Sequence, residues 1–226
     1  MPTNKKKKGK AKQKKALPVS RVWSHFSAQP FVMDYNRDTL RFRESGKRDG
    51  LWLSDETDTE RSRYTWSQWC VVENYCVEKL AYKTDMKVDM TKILVVDGTD
   101  MEDMKKFHEN YYAKYGFPHY WIQLQKEGYK GLAIAPYDRW KFIGTPEYTM
   151  MASWYYGWDV PSIIIWNFSC IQEIGESVPF QAPTKNEVLG DVDAAAVDDL
   201  ASSFVQMCSE RRSNTYILPN IQDPNK

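Results

Sequence analysis

Gly50-Leu51-Trp52-Leu53-Ser54-Asp55, followed by Trp66-Ser67-Gln68-Trp69-Cys70, constrains this chain more than any other segment. A strand-like run opens on glycine, closes on a small hydroxyl residue and leads through a polar loop into an aromatic-faced helix. That order sets an aromatic wall and a few polar groups at one end of a sheet. Pockets for flat ligands are built this way, mostly apolar with a few convergent polar groups.

Composition supports a folded body. Of 226 residues, 42% are hydrophobic and 14% aromatic, with nine Trp and fourteen Tyr, a load that disordered chains lack. The length suits one domain of moderate size with a full core. The net charge of +1 hides a split: residues 1–15 hold eight of the 31 Lys and Arg and none of the 30 Asp and Glu, which leaves the remainder at −7. The run Lys5-Lys6-Lys7-Lys8 through Lys14-Lys15 reads as a solvated, disordered arm. It can attract phosphate backbones, serve as a nuclear import signal or simply solubilise the chain. An acidic body confines any nucleic-acid contact to that arm.

No apolar window approaches the roughly 18 residues of a membrane span, and no apolar stretch follows the basic N-terminus as a secretory signal requires. Cys70, Cys76, Cys170 and Cys208 show neither zinc-type pairing nor a dense disulfide framework. Reduced thiols in an intracellular protein, cytoplasmic or nuclear and not secreted, are the expectation. Three separated histidines and no Cys-x-x-Cys give no metal site. Phosphate-loop, dinucleotide-fingerprint and nucleophile-elbow patterns are absent, and no histidine neighbours Cys70 in sequence to activate its thiol.

Hydrophobic periodicity orders the body. Ser20 to Phe26 reads as a strand with Arg21, Trp23 and His25 on one face and Val22, Ser24 and Phe26 on the other. Residues 34–49 read as a loop with a short strand at Leu40-Arg41-Phe42. Leu51 to Ser54 is a core strand and Trp66 to about Leu80 a helix. Met86 to Val96 is a strand or strand pair. A helix capped by Asp100 places Met101, Met104, Phe107, His108, Tyr111 and Tyr115 on one stripe and stops at Gly116. His108 is structural on this reading, and His119, beside Pro118, is a capping or loop residue at the start of a short helix from about Tyr120 to Glu127. A strand from Tyr129 to Pro136 follows, then a Trp- and Tyr-rich loop over 137–158, then the strand Ser162-Ile163-Ile164-Ile165-Trp166-Asn167. Asp193 to Arg212 forms an amphipathic helix with Val197, Leu200, Phe204 and Cys208 inward. The fold class is therefore α+β, with small split, mostly antiparallel sheets and flanking helices.

Three motifs resemble the ADP-ribosyltransferase-like superfamily, its poly-ADP-ribose polymerase and phage-toxin types included. Gly50-Leu51-Trp52-Leu53-Ser54-Asp55 with Ser67-Gln68-Trp69-Cys70 is similar to Gly-Ile-Tyr-Phe-Ala-Asp followed by Ser-Ala-Asn-Tyr-Cys. Gly128-Tyr129-Lys130-Gly131-Leu132 is similar to the family's Gly-Tyr-Asp-Gly-Ile, and Ile163-Ile164-Ile165-Trp166-Asn167 to its Val-Val-Phe-Asn. The chain also resembles uncharacterised phage proteins with a Gly-Leu-Trp-Val-Ser motif. The resemblance covers about residues 20–174. It divides the chain into a Lys-rich arm (1–18), an ADP-ribosyltransferase-like domain (19–174), a linker (175–191), a C-terminal helix (192–212) and a tail (213–226).

The resemblance implies NAD as substrate and transfer of ADP-ribose to a protein or nucleic acid. It implies Trp52 and Trp69 as a sandwich for the nicotinamide ring, Ser54 beside them, and His25 or Ser27 on the nicotinamide ribose. Transfer also needs a negative group beside the cation-like sugar of the transition state. The family's Glu at the start of the last apolar strand is missing here. Asp159, in Trp158-Asp159-Val160-Pro161, is the nearest acid, and Glu147 lies farther back. The departure leaves two other classes open: a silent module binding a nucleotide or partner, and a structural polyanion-binding protein, viral or chromatin-associated. Trp52 and Trp69 also suit a purely structural place in the core.

Overall fold

The computed structural model describes residues 19–34, 50–57, 60–155 and 158–190. The Lys5–Lys8 arm, the short strand at Leu40-Arg41-Phe42 and the helix from Asp193 to Arg212 lie outside the described residues. The chain divides after Ala182 into two units.

The architecture of the first unit is α+β. Strands β1 (Ser20–Ser27), β2 (Leu51–Ser54), β3 (Tyr82–Asp89), β4 (Ile93–Gly98), β5 (Gly131–Tyr137), β6 (Ser162–Ile165) and β7 (Ile171–Pro179) form one seven-stranded sheet. Its order is β4-β5-β6-β2-β1-β3-β7, so the expected small split sheets are replaced by one continuous sheet. β4 and β5 pair in parallel and every other neighbour is antiparallel. A parallel pair needs a long crossover, and here α2 (Met101–Phe107), a π-helical turn (His108–Tyr112), α3 (Ala113–Tyr115) and α4 (His119–Lys126) supply it.

Alternation along the central strands builds a core on each face. Ile164, Leu132, Ile134 and Val96 pack against Phe107, Trp121, Trp154 and Tyr155 on the helical face. Ile163, Ile165, Leu51 and Leu53 join Trp23, Met86 and Val88 on the other. β5 and β6 are buried throughout, the pattern of strands covered on both sides.

The sequence expectations need four further corrections. Helix α1 spans only Trp66–Val72, because Asn74 and Cys76 turn the chain with φ of 51° and 49° before a short 3-10 turn, Val77–Lys79. The stripe from Met101 to Tyr115 is interrupted by the π-helical turn, yet it stops at Gly116, φ 70°, as expected. The aromatic stretch read as loop holds helix α5 (Pro146–Tyr155), with Met151, Trp154 and Tyr155 buried. Residues 175–191, read as linker, carry the second half of β7, so the sheet runs past residue 174. In the second unit the described segment is α6 (Lys185–Leu189), begun by a capping box between Thr184 and Glu187.

An ion pair joins β1 to the end of β2. The Arg21 guanidinium donates to the Asp55 carboxylate, whose side chain is fully buried. Asp55 Oδ1 also accepts from Thr57 N at 3.1 Å and Thr57 Oγ1 at 2.7 Å, and Asp55 N donates to Pro161 O at 3.0 Å. Among the described residues no helix is long and apolar enough to cross a membrane, and no group of three or more His, Cys, Asp or Glu is placed to hold a metal.

Candidate functional site

A cleft opens at the end of the sheet where β2 and β5 finish and β6 begins. Arg63, Tyr64, Trp69, Glu73, Tyr137, Asp138, Trp140 and Asp159 line it, and they bound about 330 Å³ of space that is largely open to solvent.

Each wall is held by anchors next to it in sequence. Ser62, buried, accepts a hydrogen bond on Oγ from Tyr137 N at 3.1 Å. Thr65, also buried, caps α1 in a reciprocal box with Gln68. Arg63 and Tyr64 lie between these two fixed points and so face the cleft. Asp159 is held the same way, between the buried Trp158 and Val160. Trp158 is fixed in turn by Trp158 N donating to Tyr155 O at 3.0 Å and by the Tyr137 hydroxyl donating to Trp158 O. Trp140 follows Asp138 through a turn in which Trp140 N donates to Asp138 Oδ1 at 3.2 Å.

Trp69 is backed by aromatic rings. It stacks on Trp66 with centroids 5.3 Å apart, and Tyr75 meets it edge-on at 5.4 Å. Glu56 ties the loop after β2 to this helix: it accepts from Ser54 Oγ and Ser67 Oγ, both at 2.6 Å, and from Trp66 N at 3.1 Å. The Arg63 guanidinium lies 5.1 Å from the Trp140 ring centre and 5.5 Å from that of Tyr64.

Of the residues singled out from sequence, Trp69 and Asp159 come together in the cleft. Trp52 does not line it. Its ring packs edge-on against Trp158 at 5.1 Å in the helical-face core, so the expected pair of facing indoles is not formed. Trp52 instead buttresses the residue before Asp159. Ser54 is buried and bonded to Glu56. His25 points away. With Ser24 opposite Ser54 and Trp23 opposite Met86, it shares the face of Leu53 and Trp23, opposite to the Trp52 ring. There it packs edge-on against Phe31 at 4.7 Å, with Nδ1 3.0 Å from Trp52 O. Ser27 ends β1 away from the cleft and donates to Gln29 O. Cys70 is fully buried, and that burial pushes its thiol up to about 12, which removes it as a nucleophile.

Arg63, Tyr64, Glu73 and Asp138 carried no sequence signal of their own. Trp140 had one, as part of an aromatic-rich stretch, but nothing in the sequence tied it to Trp69.

Partial burial of His25 and burial of His108 lower both below their ordinary value of 6.5. For His25 the Trp52 carbonyl opposes this, and for His108 Glu109 does. His108 Nδ1 accepts from Trp154 Nε1 at 3.1 Å, so a proton there would replace acceptor by donor. The unfolded chain therefore takes up these protons first. Stability should be complete above about pH 6.5 and fall as the pH drops below it, by up to about 1.4 kcal/mol per pH unit per ring. Urea midpoints at pH 7.5 and 5.5 check this, and His108→Gln should flatten the dependence. Equal midpoints in the parent chain would refute it.

Comparison of the chain with protein-family models, curated proteins and solved structures finds no match.

Proposed function

We propose that the chain is an ADP-ribosyltransferase-like protein that binds NAD with its nicotinamide ring in this cleft and transfers ADP-ribose to a protein or nucleic-acid acceptor. One observation carries the reading: Trp69, on the helix after the Gly50–Asp55 motif, and Asp159, just before β6, line the same cleft. The strands bearing the resembling motifs, β2, β5 and β6, are also consecutive in the sheet as β5-β6-β2.

The chemistry fits these groups. The oxidised nicotinamide ring is flat and cationic, so an aromatic wall with a carboxylate nearby suits it. In the transfer the glycosidic bond breaks and nicotinamide leaves with the bonding electrons. The sugar carbon becomes cation-like, and the acceptor supplies a new electron pair and loses its proton. In this reading Asp159 supplies the negative charge that stabilises it. In the same reading the Lys5-Lys6-Lys7-Lys8 run supplies nucleic-acid contact.

A binding module without transfer is the second reading. It rests on His25, whose position on the opposite sheet face leaves the ribose contact implied by the resemblance unfilled.

Incubation of the full chain with labelled NAD tests both. Trp69→Ala should weaken NAD binding about tenfold or more. Asp159→Asn should leave binding nearly intact and cut transfer by about 100-fold or more. Transfer that survives both changes, or no saturable NAD binding, overturns the proposal. Binding with no transfer by the parent chain selects the second reading.

A further inference from the structure

Helix α1 is too short to hold its own place. It has seven residues, Trp66–Val72, and isolated helices of that length are marginal in water. The capping box between Thr65 and Gln68 joins the helix to its own cap and so fixes no relation to the sheet. Glu56 supplies that relation. Its Oε1 accepts from Ser54 Oγ, at the end of β2, at 2.6 Å and from Trp66 N at 3.1 Å, while its Oε2 accepts from Ser67 Oγ at 2.6 Å. One side chain thus joins the last residue of a core strand to the first two residues of the helix. Ser54 and Ser67 are both buried, so stranding either hydroxyl without a partner is costly.

We propose that Glu56 is a positioning residue: by tying α1 to β2 it sets the Trp69 ring where a flat ligand stacks, without itself lining the cleft. Trp66 and Trp69 stand one turn apart on one side of α1, with their rings stacked at 5.3 Å, and Trp69 lines the cleft. Holding Trp66 N and Ser67 Oγ therefore fixes where that aromatic wall stands. The two hydroxyl bonds have the length of charge-assisted hydrogen bonds to a carboxylate, which suits a rigid link. Asp159 reaches the same cleft from a separate anchor, between the buried Trp158 and Val160, so Glu56 governs one wall and not the other. The inference deepens the NAD reading and rests on it for the identity of the ligand.

The test uses the full chain labelled with 5-fluorotryptophan and read by fluorine NMR, the Trp69 and Trp23 signals being assigned by their loss in Trp69→Phe and Trp23→Phe. Glu56→Ala should shift or broaden the Trp69 signal and leave that of Trp23, buried in β1, in place. Glu56→Gln should leave both in place, because a carboxamide of the same shape accepts on its oxygen and donates to Ser67 Oγ from its nitrogen. Glu56→Ala should weaken NAD binding about tenfold and Glu56→Gln by no more than about threefold. Added to Trp69→Ala, Glu56→Ala should weaken NAD binding no further, since the two residues act as one. Glu56→Asp keeps the charge but loses the reach, should match Glu56→Ala, and carries the same tests if that variant does not fold. A Trp69 signal unmoved by these changes, a Gln variant as weak as the Ala variant, or a full further loss in the Trp69→Ala background overturns the proposal. If the parent chain binds no NAD, the NAD reading falls and the fluorine signals alone decide this one.

Discussion

Replacing Arg21 by Ala should destabilise the fold by about 3–5 kcal/mol, because it strands the Asp55 carboxylate inside the protein without its counter-charge. Asp55 has no exposed side-chain surface. Thr57 supplies two hydrogen bonds, but these do not replace a full positive charge. The pair also joins elements distant in sequence, β1 to the end of β2, while Asp55 N holds Pro161 just ahead of β6. Loss of the pair therefore loosens three strands at the end where the cleft sits. Arg21→Lys should recover only part of the loss, since a compact ammonium cannot reproduce the guanidinium fork and the Arg21 stack over Trp23 at 5.0 Å goes with it. Urea denaturation measures both variants. A loss below about 1 kcal/mol for Arg21→Ala would place this pair among surface ion pairs and refute the account.

Gly131→Ala should cost about 3 kcal/mol, at the upper end of overpacking effects. A Cβ at Gly131 would meet Ile164 O at 2.7 Å and Ile93 Cδ1 at 2.8 Å, and a main-chain oxygen inside a paired sheet has little room to retreat. Gly128, three residues earlier, makes the control. It has φ of 88° and nothing within 4 Å of an added Cβ, so Gly128→Ala meets only backbone strain of about 1–2 kcal/mol. Thermal or urea unfolding should rank Gly131→Ala well below Gly128→Ala in stability, and the reverse order would sink the crowding argument. Gly50 is crowded by β6 in the same way, with Ile165 O at 2.8 Å from its would-be Cβ. The motif glycines at Gly50 and Gly131 thus let β2 and β5 close on β6 from either side.

These motif strands were legible in the sequence because they are short, apolar and punctuated by glycine. Leu51–Ser54, Gly131–Tyr137 and Ser162–Ile165 fall where the runs place them. β7 escaped notice for a physical reason. Its partly buried apolar residues, Ile171 and Ile174, do not form a period-two series: they stand three apart, because the pairing with β3 shifts register between Thr84 and Met86 and again between Lys87 and Val88. Helix α5 was hidden by aromatics dense enough to suggest an irregular binding wall, although Pro146 at its first position and the spacing of Tyr148, Met151 and Tyr155 were helical signals. The candidate site was half legible. Trp69 and Asp159 belong to recognisable motifs, whereas Arg63 and Trp140 meet only because Ser62 is bonded to the end of β5. The face to which His25 turns follows from alternation along β1, but which face carries the helices does not.

Those register shifts in β7 bear on how the molecule behaves in a crowd. β7 ends the strand order, so among the described residues one side of its backbone has no neighbouring strand in the sheet. A flat, apolar border of that kind would template the addition of strands from other copies. Here the border is kinked by the shifts and carries Glu173 and Glu176 among its outward residues. Accretion into fibres is thereby discouraged at the margin where an open sheet is most exposed to it.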